Sequence, residues 1–154
     1  MHPTRDQPIF KVIAETLGFN PDATPVSAAA GLSTYGGAMG PSQFIPSTWA
    51  HYGGFIKDVA GNWVYDKNSD TIRSLTGKAA PSSPYDNQDA FLATALLMSD
   101  NGAGAGTYAA ERLAAIRYFA GWGGASNPAY GSYGDGVMGH ATRIQQEIDI
   151  LEGG

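Results

Sequence analysis

Residues 35–49 read YGGAMGPSQFIPSTW, and this stretch carries more information about the fold than any other part of the chain. Its glycines permit the positive φ angles and the close backbone approaches of a tight turn. The turn leads into a helix that starts at residues 41–42 and runs to about Tyr52, unless Pro46 kinks it or moves its start to Ser47.

Outside this stretch, apolar residues recur at helical spacing in four further segments. Start and stop signals bound these segments, with Asp86 and Thr107 at N-cap positions and Gly102 at the end of the helix that Asp86 begins. The predicted helices run over about Pro8–Leu17, from Asp86 to Gly102, from Thr107 through Ala120, and over about Gly134–Leu151. The last of them carries an apolar stripe formed by Val137, Ala141, Ile144, Ile148 and Leu151.

The region from Phe55 to Ser83 is the least helical part of the chain. Val59 and the run Trp63-Val64-Tyr65 flank Gly61-Asn62, which is a turn pair, so the sequence leaves room for one small β-hairpin there. The 21 glycines cluster between the helical segments. These patterns predict a mainly α fold with long glycine-rich loops.

Composition excludes several classes of protein. A chain of 154 residues with 43% hydrophobic residues suits one globular domain, and we assign residues 1–154 to a single domain. The formal net charge of −5 argues against nucleic acid as a partner. No apolar run approaches the roughly 20 residues that cross a bilayer, so no membrane insertion is predicted. Residues 1–6 contain no secretory signal, because no apolar segment follows their single cation.

Most catalytic and cofactor motifs are absent from the sequence. His2, His51 and His140 lack the spacing of metal ligands, and the chain has no cysteine, no Gly-x-Ser-x-Gly elbow and no phosphate-binding loop. We therefore predict neither a metal nor a cofactor. Aromatic rings beside glycines suit sugar recognition, although core packing is the commoner role for any single ring. The turn that carries Gln43 fits a polar groove wall and a purely structural turn equally well.

Residues 35–49 resemble the segment Gly-Ala-Met-Gly-x-x-Gln-Phe-x-Pro-Ser of lytic murein transglycosylases, especially the membrane-bound B-type group. In that family the segment lines the glycan groove of a lysozyme-like domain. Three later segments look like further motifs of the family: residues 85–90 resemble a helix start, residues 117–121 a late groove motif, and residues 133–138 the end of the domain. The resemblance covers roughly residues 30 to 150.

The resemblance implies a lysozyme-like helical fold and a substrate. That substrate is the strand of peptidoglycan in which N-acetylglucosamine alternates with N-acetylmuramic acid, so the protein is expected in the bacterial cell envelope or outside the cell. The implied contacts are an apolar wall made by Met39 and Phe44, hydroxyl or N-acetyl partners in Gln43 and Ser47, and Tyr118 beside the point of cleavage.

Family members cleave the β-1,4 bond without water and release a 1,6-anhydro sugar, with one glutamate acting first as acid and then as base. Such a glutamate needs burial that raises its pKa toward neutrality. The resemblance implies that it lies on a helix upstream of Gly36, where the chain has no room for that helix. We therefore expect a domain that lacks its N-terminal catalytic segment. Asp86 and Asp89 match a family motif too, but helix capping accounts for them.

Glu15 is the one candidate acid within the chain. Residues 15–23 loosely resemble the Glu-Ser-x-Phe-Asn-Pro-x-Ala signature of another branch of lytic transglycosylases, with one extra residue. Helical geometry places Glu15 about 200° around the helix from Ile13 and hence away from the apolar stripe. The other glutamates are expected to be solvated charges: Glu111, Glu147 and Glu152.

Three hypotheses remain open from the sequence. The first is a domain that binds peptidoglycan glycan strands and is either the C-terminal part of a longer enzyme or a catalytically silent derivative. The second is a compact active transglycosylase in which Glu15, shielded from water, serves as general acid and base. The third is an engineered or repurposed helical scaffold with no affinity for glycans.

Overall fold

The computed structural model describes residues 1–29, 36–79 and 81–153. The chain folds into α1 (Gln7–Thr16), α2 (Pro46–Tyr52), β1 (Gly53–Lys57), β2 (Trp63–Asp70), α3 (Thr71–Thr76), α4 (Asn87–Asp100), α5 (Tyr108–Gly124) and α6 (Gly131–Glu152). Short 3₁₀ turns cover Ala103–Ala105 and Pro128–Tyr130. The prediction of a mainly α fold with one small hairpin is therefore confirmed. Among the described residues, no helix combines the length and the apolar character that crossing a bilayer requires.

The chain forms two compact units, Met1–Thr94 and Ala95–Gly154. In the first unit, α1 packs against α2 and β2. Ile9 and Ile13 of α1 are at most 1% exposed, and Trp49 of α2 is fully buried. The ring of Phe44 meets Trp49 edge to face, with the centroids 5.6 Å apart. Phe44 and Trp49, which belong to the stretch 35–49 quoted above, are therefore part of the core of this unit.

The helix that follows the glycine-rich turn begins at Pro46, the later of the two predicted starts. Proline at the first helical position has no N–H to leave unpaired and has its φ angle already set. Pro41, Ser42 and Gln43 therefore lie in the turn and not on the helix, which corrects the earlier predicted start. The caps predicted for later helices are confirmed: Asp86 accepts from the Asp89 backbone N–H at 3.0 Å, and Thr107 caps α5.

The predicted hairpin exists, but its first strand is Gly53–Lys57, so the expectation that Val59 is part of it is wrong. Val59 is fully exposed in the connecting loop. The Asp58 carboxylate organises that loop by accepting from the backbone N–H groups of Ala60 and Asn62 at 2.9 and 2.8 Å. A side-chain-to-backbone turn of this type, which offers an alternative to strand pairing, ends β1 before Val59.

Helix α3 was not predicted. Asp70 caps its start by accepting from the Arg73 backbone N–H at 2.8 Å, and Gly77 ends it with a φ angle of +70°. Asp at the N-cap and Gly just after the last helical residue are the usual signals for the two ends of a helix. The segment between them is too short for helical periodicity to be visible in the sequence.

The second unit is built on the packing of α5 against α6. Gly134 makes this contact close, because a Cβ at that position would lie 2.8 Å from Ile116 Cγ1. Arg112 of α5 forms a two-pronged ion pair with Asp135 of α6. The apolar stripe that predicts α6 is covered only at its beginning: from Ala141 onward every described residue of the helix is exposed.

Candidate functional site

A shallow cleft of about 250 Å³ lies in the Met1–Thr94 unit beside the glycine-rich turn. Three separate segments line it, and they contribute residues 25–27, then Ala38, Gly40 and Gln43, and finally Tyr85. Because these segments are far apart in sequence, tertiary hydrogen bonds must hold the cleft in shape. Two sets of contacts do so.

The first set joins the loop at Ser27 to the start of the turn. The Ser27 N–H donates to the Ala38 carbonyl at 2.9 Å, and the Gly37 N–H donates to the Ser27 carbonyl at 2.7 Å. The Ala38 N–H donates to Ser27 Oγ at 3.0 Å. The Cβ of any residue other than glycine at position 36 would overlap the Ser27 carbonyl. Gly36 is therefore required for the close approach of these two backbone segments.

The second set centres on Tyr85. Its hydroxyl donates to the Pro25 carbonyl at 3.0 Å, and its ring meets Phe19 edge to face at 5.8 Å. Burial raises the pKa of Tyr85 to about 12, so the phenol keeps this proton at neutral pH. Phe19 is 43% exposed and Val26 is 38% exposed. Apolar surface is therefore available beside the polar groups of the cleft.

The turn itself is closed by a pair of backbone hydrogen bonds. The Met39 N–H donates to the Phe44 carbonyl at 2.8 Å, and the Phe44 N–H donates to the Met39 carbonyl at 3.1 Å. Gln43 has a φ angle of +56°, the one positive φ of a non-glycine residue in the described chain. A left-handed conformation costs such a residue about 1–2 kcal/mol and is held only by well-determined surroundings.

The side chain of Gln43 is fixed by its own turn. Its Nε2 donates to the Gly40 carbonyl at 2.8 Å. A carbonyl can only accept, so this contact assigns the amide orientation and leaves Oε1 as the acceptor available to a ligand. Gln43 is exposed and lines the cleft. The residue with the left-handed backbone conformation thus presents a polar group to the cleft.

Of the five predicted site residues, Gln43 is the one found on the surface of this cleft. Met39 and Phe44 are 0% and 2% exposed, so the expectation that they form an apolar wall is wrong. Both side chains belong to the core, since the paired backbone of the turn directs them there. Ser47 belongs to the same unit and is half-buried, whereas Tyr118 is half-buried on α5 of the other unit.

Ser47 is held by Asp6, a residue that the sequence did not single out. The Asp6 carboxylate accepts from the Ser47 N–H at 3.1 Å and pairs with Arg5 at 2.7 Å. Burial of Asp6 alone would raise its pKa, but hydrogen bonds from Arg5 and Ser47 outweigh burial and hold the pKa below its usual range. Ser47 therefore has a structural partner at the start of α2.

The lowered pKa of Asp6 predicts a loss of stability in acid. The contribution of the Asp6 carboxylate to the free energy of unfolding is complete above the unfolded-state pKa of Asp, which is about 3.9. It is lost as the pH falls through the lower folded-state pKa. Asp6→Asn should lower the free energy of unfolding by about 2 kcal/mol at pH 7, with a smaller difference at pH 3. Urea denaturation at both pH values measures this, with the exposed Asp22→Asn as control. A difference that is equal at both pH values would contradict the assignment.

Two acidic residues elsewhere in this unit, Asp86 and Asp89, have structural roles. Lys78 Nζ lies 2.7 Å from Asp86 and 2.8 Å from Asp89, and Asp89 also accepts from the Ser83 N–H. The side chain of Glu15 is 52% exposed and 4.0 Å from Lys11 Nζ. Its carboxyl therefore lacks the shielding from water that a role as general acid requires. Among the described residues, no group of three His, Asp or Glu side chains could hold a metal ion.

Comparison with protein families, with curated proteins and with solved structures found no match for this chain. The ligand that the cleft can bind is therefore inferred from the residues that line it. The described lining residues provide one amide (Gln43), one phenol (Tyr85), one hydroxyl (Ser27), backbone carbonyls and apolar surface, and none of them is a carboxylate. Such a set can bind a neutral polar ligand.

Proposed function

We propose that this chain is a domain of the lytic-transglycosylase type that binds peptidoglycan glycan strands in the cleft beside Gln43. The observation that carries the proposal is the strained, exposed Gln43, fixed by the Gly40 carbonyl and set against the half-buried ring of Tyr85. The resemblance of residues 35–49 to a groove-lining segment supports the same ligand. The family's setting would place the protein in the bacterial cell envelope or outside the cell.

The cleft matches the two surfaces of an N-acetylated aminosugar. Gln43 Oε1 can accept from the N–H of an N-acetyl group or from a hydroxyl, and its orientation is already set before binding. The apolar face of the sugar ring can pack on the exposed part of Tyr85 and on Val26. Neither contact requires a charge, in keeping with a lining that has no ionised side chain.

We propose binding without cleavage, because the described residues that line the cleft include no carboxylate and Glu15 is exposed. The family reaction converts the bond between N-acetylmuramic acid and N-acetylglucosamine into a 1,6-anhydro product. Incubation of this chain with purified sacculi should therefore release no anhydro-muropeptides. Release that disappears in Glu15→Gln would establish the compact enzyme instead.

Gln43→Ala should weaken binding to sacculi by roughly tenfold, since one hydrogen bond to a ligand contributes about 1.4 kcal/mol. Gln43→Gly should lose binding equally while keeping the turn, because glycine adopts a positive φ without strain. Co-sedimentation with purified sacculi measures both variants. Gln7→Ala is the matched control, since Gln7 is exposed at the start of α1 and does not line the cleft.

Two outcomes would contradict the proposal. Equal binding by Gln43→Gly, Gln7→Ala and the parent chain would show that the cleft does not bind the strand. No binding by the parent chain, together with no change in tryptophan fluorescence at millimolar chitooligosaccharide, would favour the scaffold without glycan affinity.

A further inference from the structure

Helix α6 carries an apolar stripe that no described residue covers along its second half. Its members are spaced alternately by four and three residues, the pattern of a coiled-coil seam, and they are Val137, Ala141, Ile144, Ile148 and Leu151. Ile144, Ile148 and Leu151 are 51%, 39% and 81% exposed. Within its own unit, α6 buries Gly134 and Met138, near its start. The stripe is thus a formed helix face without a partner.

A cavity of about 350 Å³ adjoins this stripe. It is lined by Glu111 of α5 and, on α6, by Met138, Ala141, Thr142, Gln145 and Gln146. The one ionised side chain in this lining is the carboxylate of Glu111. The stripe and the cavity together form a continuous surface along one side of α6, which is apolar in the middle and acidic at the border.

The residues that flank the stripe determine which partner it suits. In a heptad that places the stripe at a and d, the flanking e and g positions are Met138, His140, Gln145, Glu147 and Glu152. Glu147 and Glu152 are both exposed. None of the flanking residues is Lys or Arg. Arg143 lies outside the flanking positions and is 4.0 Å from Glu147 of its own helix, with both side chains about two-thirds exposed. A second copy of the chain would therefore offer no cation from its flanking e and g positions to Glu147 and Glu152. In a parallel pair of copies, Glu147 would face Glu152 of the other copy.

From this surface we infer that α6 docks an amphipathic helix of a partner protein whose flanking positions carry Lys or Arg. Burial of Ile144, Ile148 and Leu151 against the partner's apolar seam would supply the affinity. The carboxylates of Glu111, Glu147 and Glu152 would select a basic helix and reject an acidic one. This inference does not depend on glycan binding, which is assigned to the other unit.

Two synthetic helical peptides of about three heptads test the inference with the full chain. Both have Leu at a and d; one has Lys at every e and g position, and the other has Glu. Fluorescence anisotropy of the labelled peptides should show binding of the Lys peptide, weakened by added salt, and at least tenfold weaker binding of the Glu peptide. Ile148→Lys should weaken binding of the Lys peptide at least tenfold. Ile150→Lys should not, because Ile150 is 74% exposed but lies outside the stripe.

Circular dichroism of both variants should match the parent chain, because neither side chain is buried. The inference is overturned by the absence of binding, by equal binding of the two peptides, or by equal effects of the two variants. It is also overturned if sedimentation shows a dimer of the chain that Ile148→Lys dissociates, since the second copy would then be the occupant of the stripe.

Discussion

Gly40→Ala is expected to lower the free energy of unfolding of the Met1–Thr94 unit by about 3 kcal/mol. Gly40 has a φ angle of +63°, which costs a residue with a Cβ about 1–2 kcal/mol. The added Cβ would also overlap the carbonyl oxygen of Pro84, a backbone atom that cannot rotate away. Relief requires a shift of the turn against the segment that carries Tyr85, so sugar binding should fall together with stability. Urea denaturation followed by circular dichroism measures the loss.

Gly61→Ala is the matched control for this prediction. Gly61 has a φ angle of +85°, but a Cβ there meets nothing within 4 Å. This variant therefore isolates the cost of the backbone conformation, about 1–2 kcal/mol. Equal losses in the two variants would show that Gly40 does not make the close approach to Pro84.

Asp70→Ala is expected to lower the free energy of unfolding by about 4 kcal/mol. Asp70 is fully buried and accepts hydrogen bonds from the Arg73 N–H, the Ser82 N–H, Ser82 Oγ and the Tyr65 hydroxyl, at 2.7–3.0 Å. Removing the carboxylate leaves several buried donors without an acceptor, and each costs more than the bond it formed. Equilibrium unfolding in urea measures the effect.

Ser82→Ala provides a graded comparison, because it removes one donor and keeps the carboxylate. It should cost about 1 kcal/mol. A loss below about 1 kcal/mol for Asp70→Ala, or one no larger than that of Ser82→Ala, would contradict the role of Asp70 as the shared acceptor of this network.

The parts of the fold that local signals determine could be predicted from the sequence. The caps at Asp86 and Thr107 depend on residues adjacent to the helix. For α2 the sequence leaves two starts open, and the structure has the helix begin at Pro46. Strand β1 could not be located, because pairing with β2 and burial of Phe55 set its position, and neither is a local property. Where contacts between residues that are distant in sequence determine the position of an element, the local sequence pattern does not predict that position.

The candidate site was predictable only in part, for a similar reason. The motif around Gly40 indicates a tight turn, but it does not indicate which side chains the turn directs inward. In the structure, the side chains of Met39 and Phe44 lie in the core, whereas the side chain of Gln43 lies on the surface. The sequence does not indicate that Tyr85 is a site residue, because its contact with Pro25 joins positions that are far apart in sequence.

Mapping of a bound glycan by nuclear magnetic resonance tests the central claim most directly. Titration with a soluble oligosaccharide of alternating N-acetylglucosamine and N-acetylmuramic acid should shift the backbone amide signals of residues 26–27, 38–40, 42–43 and 85, together with the Gln43 side-chain amide. These shifts should be absent in Gln43→Gly. No shift at millimolar oligosaccharide, or shifts only outside this cleft, would contradict the assignment of the cleft as a glycan-binding site.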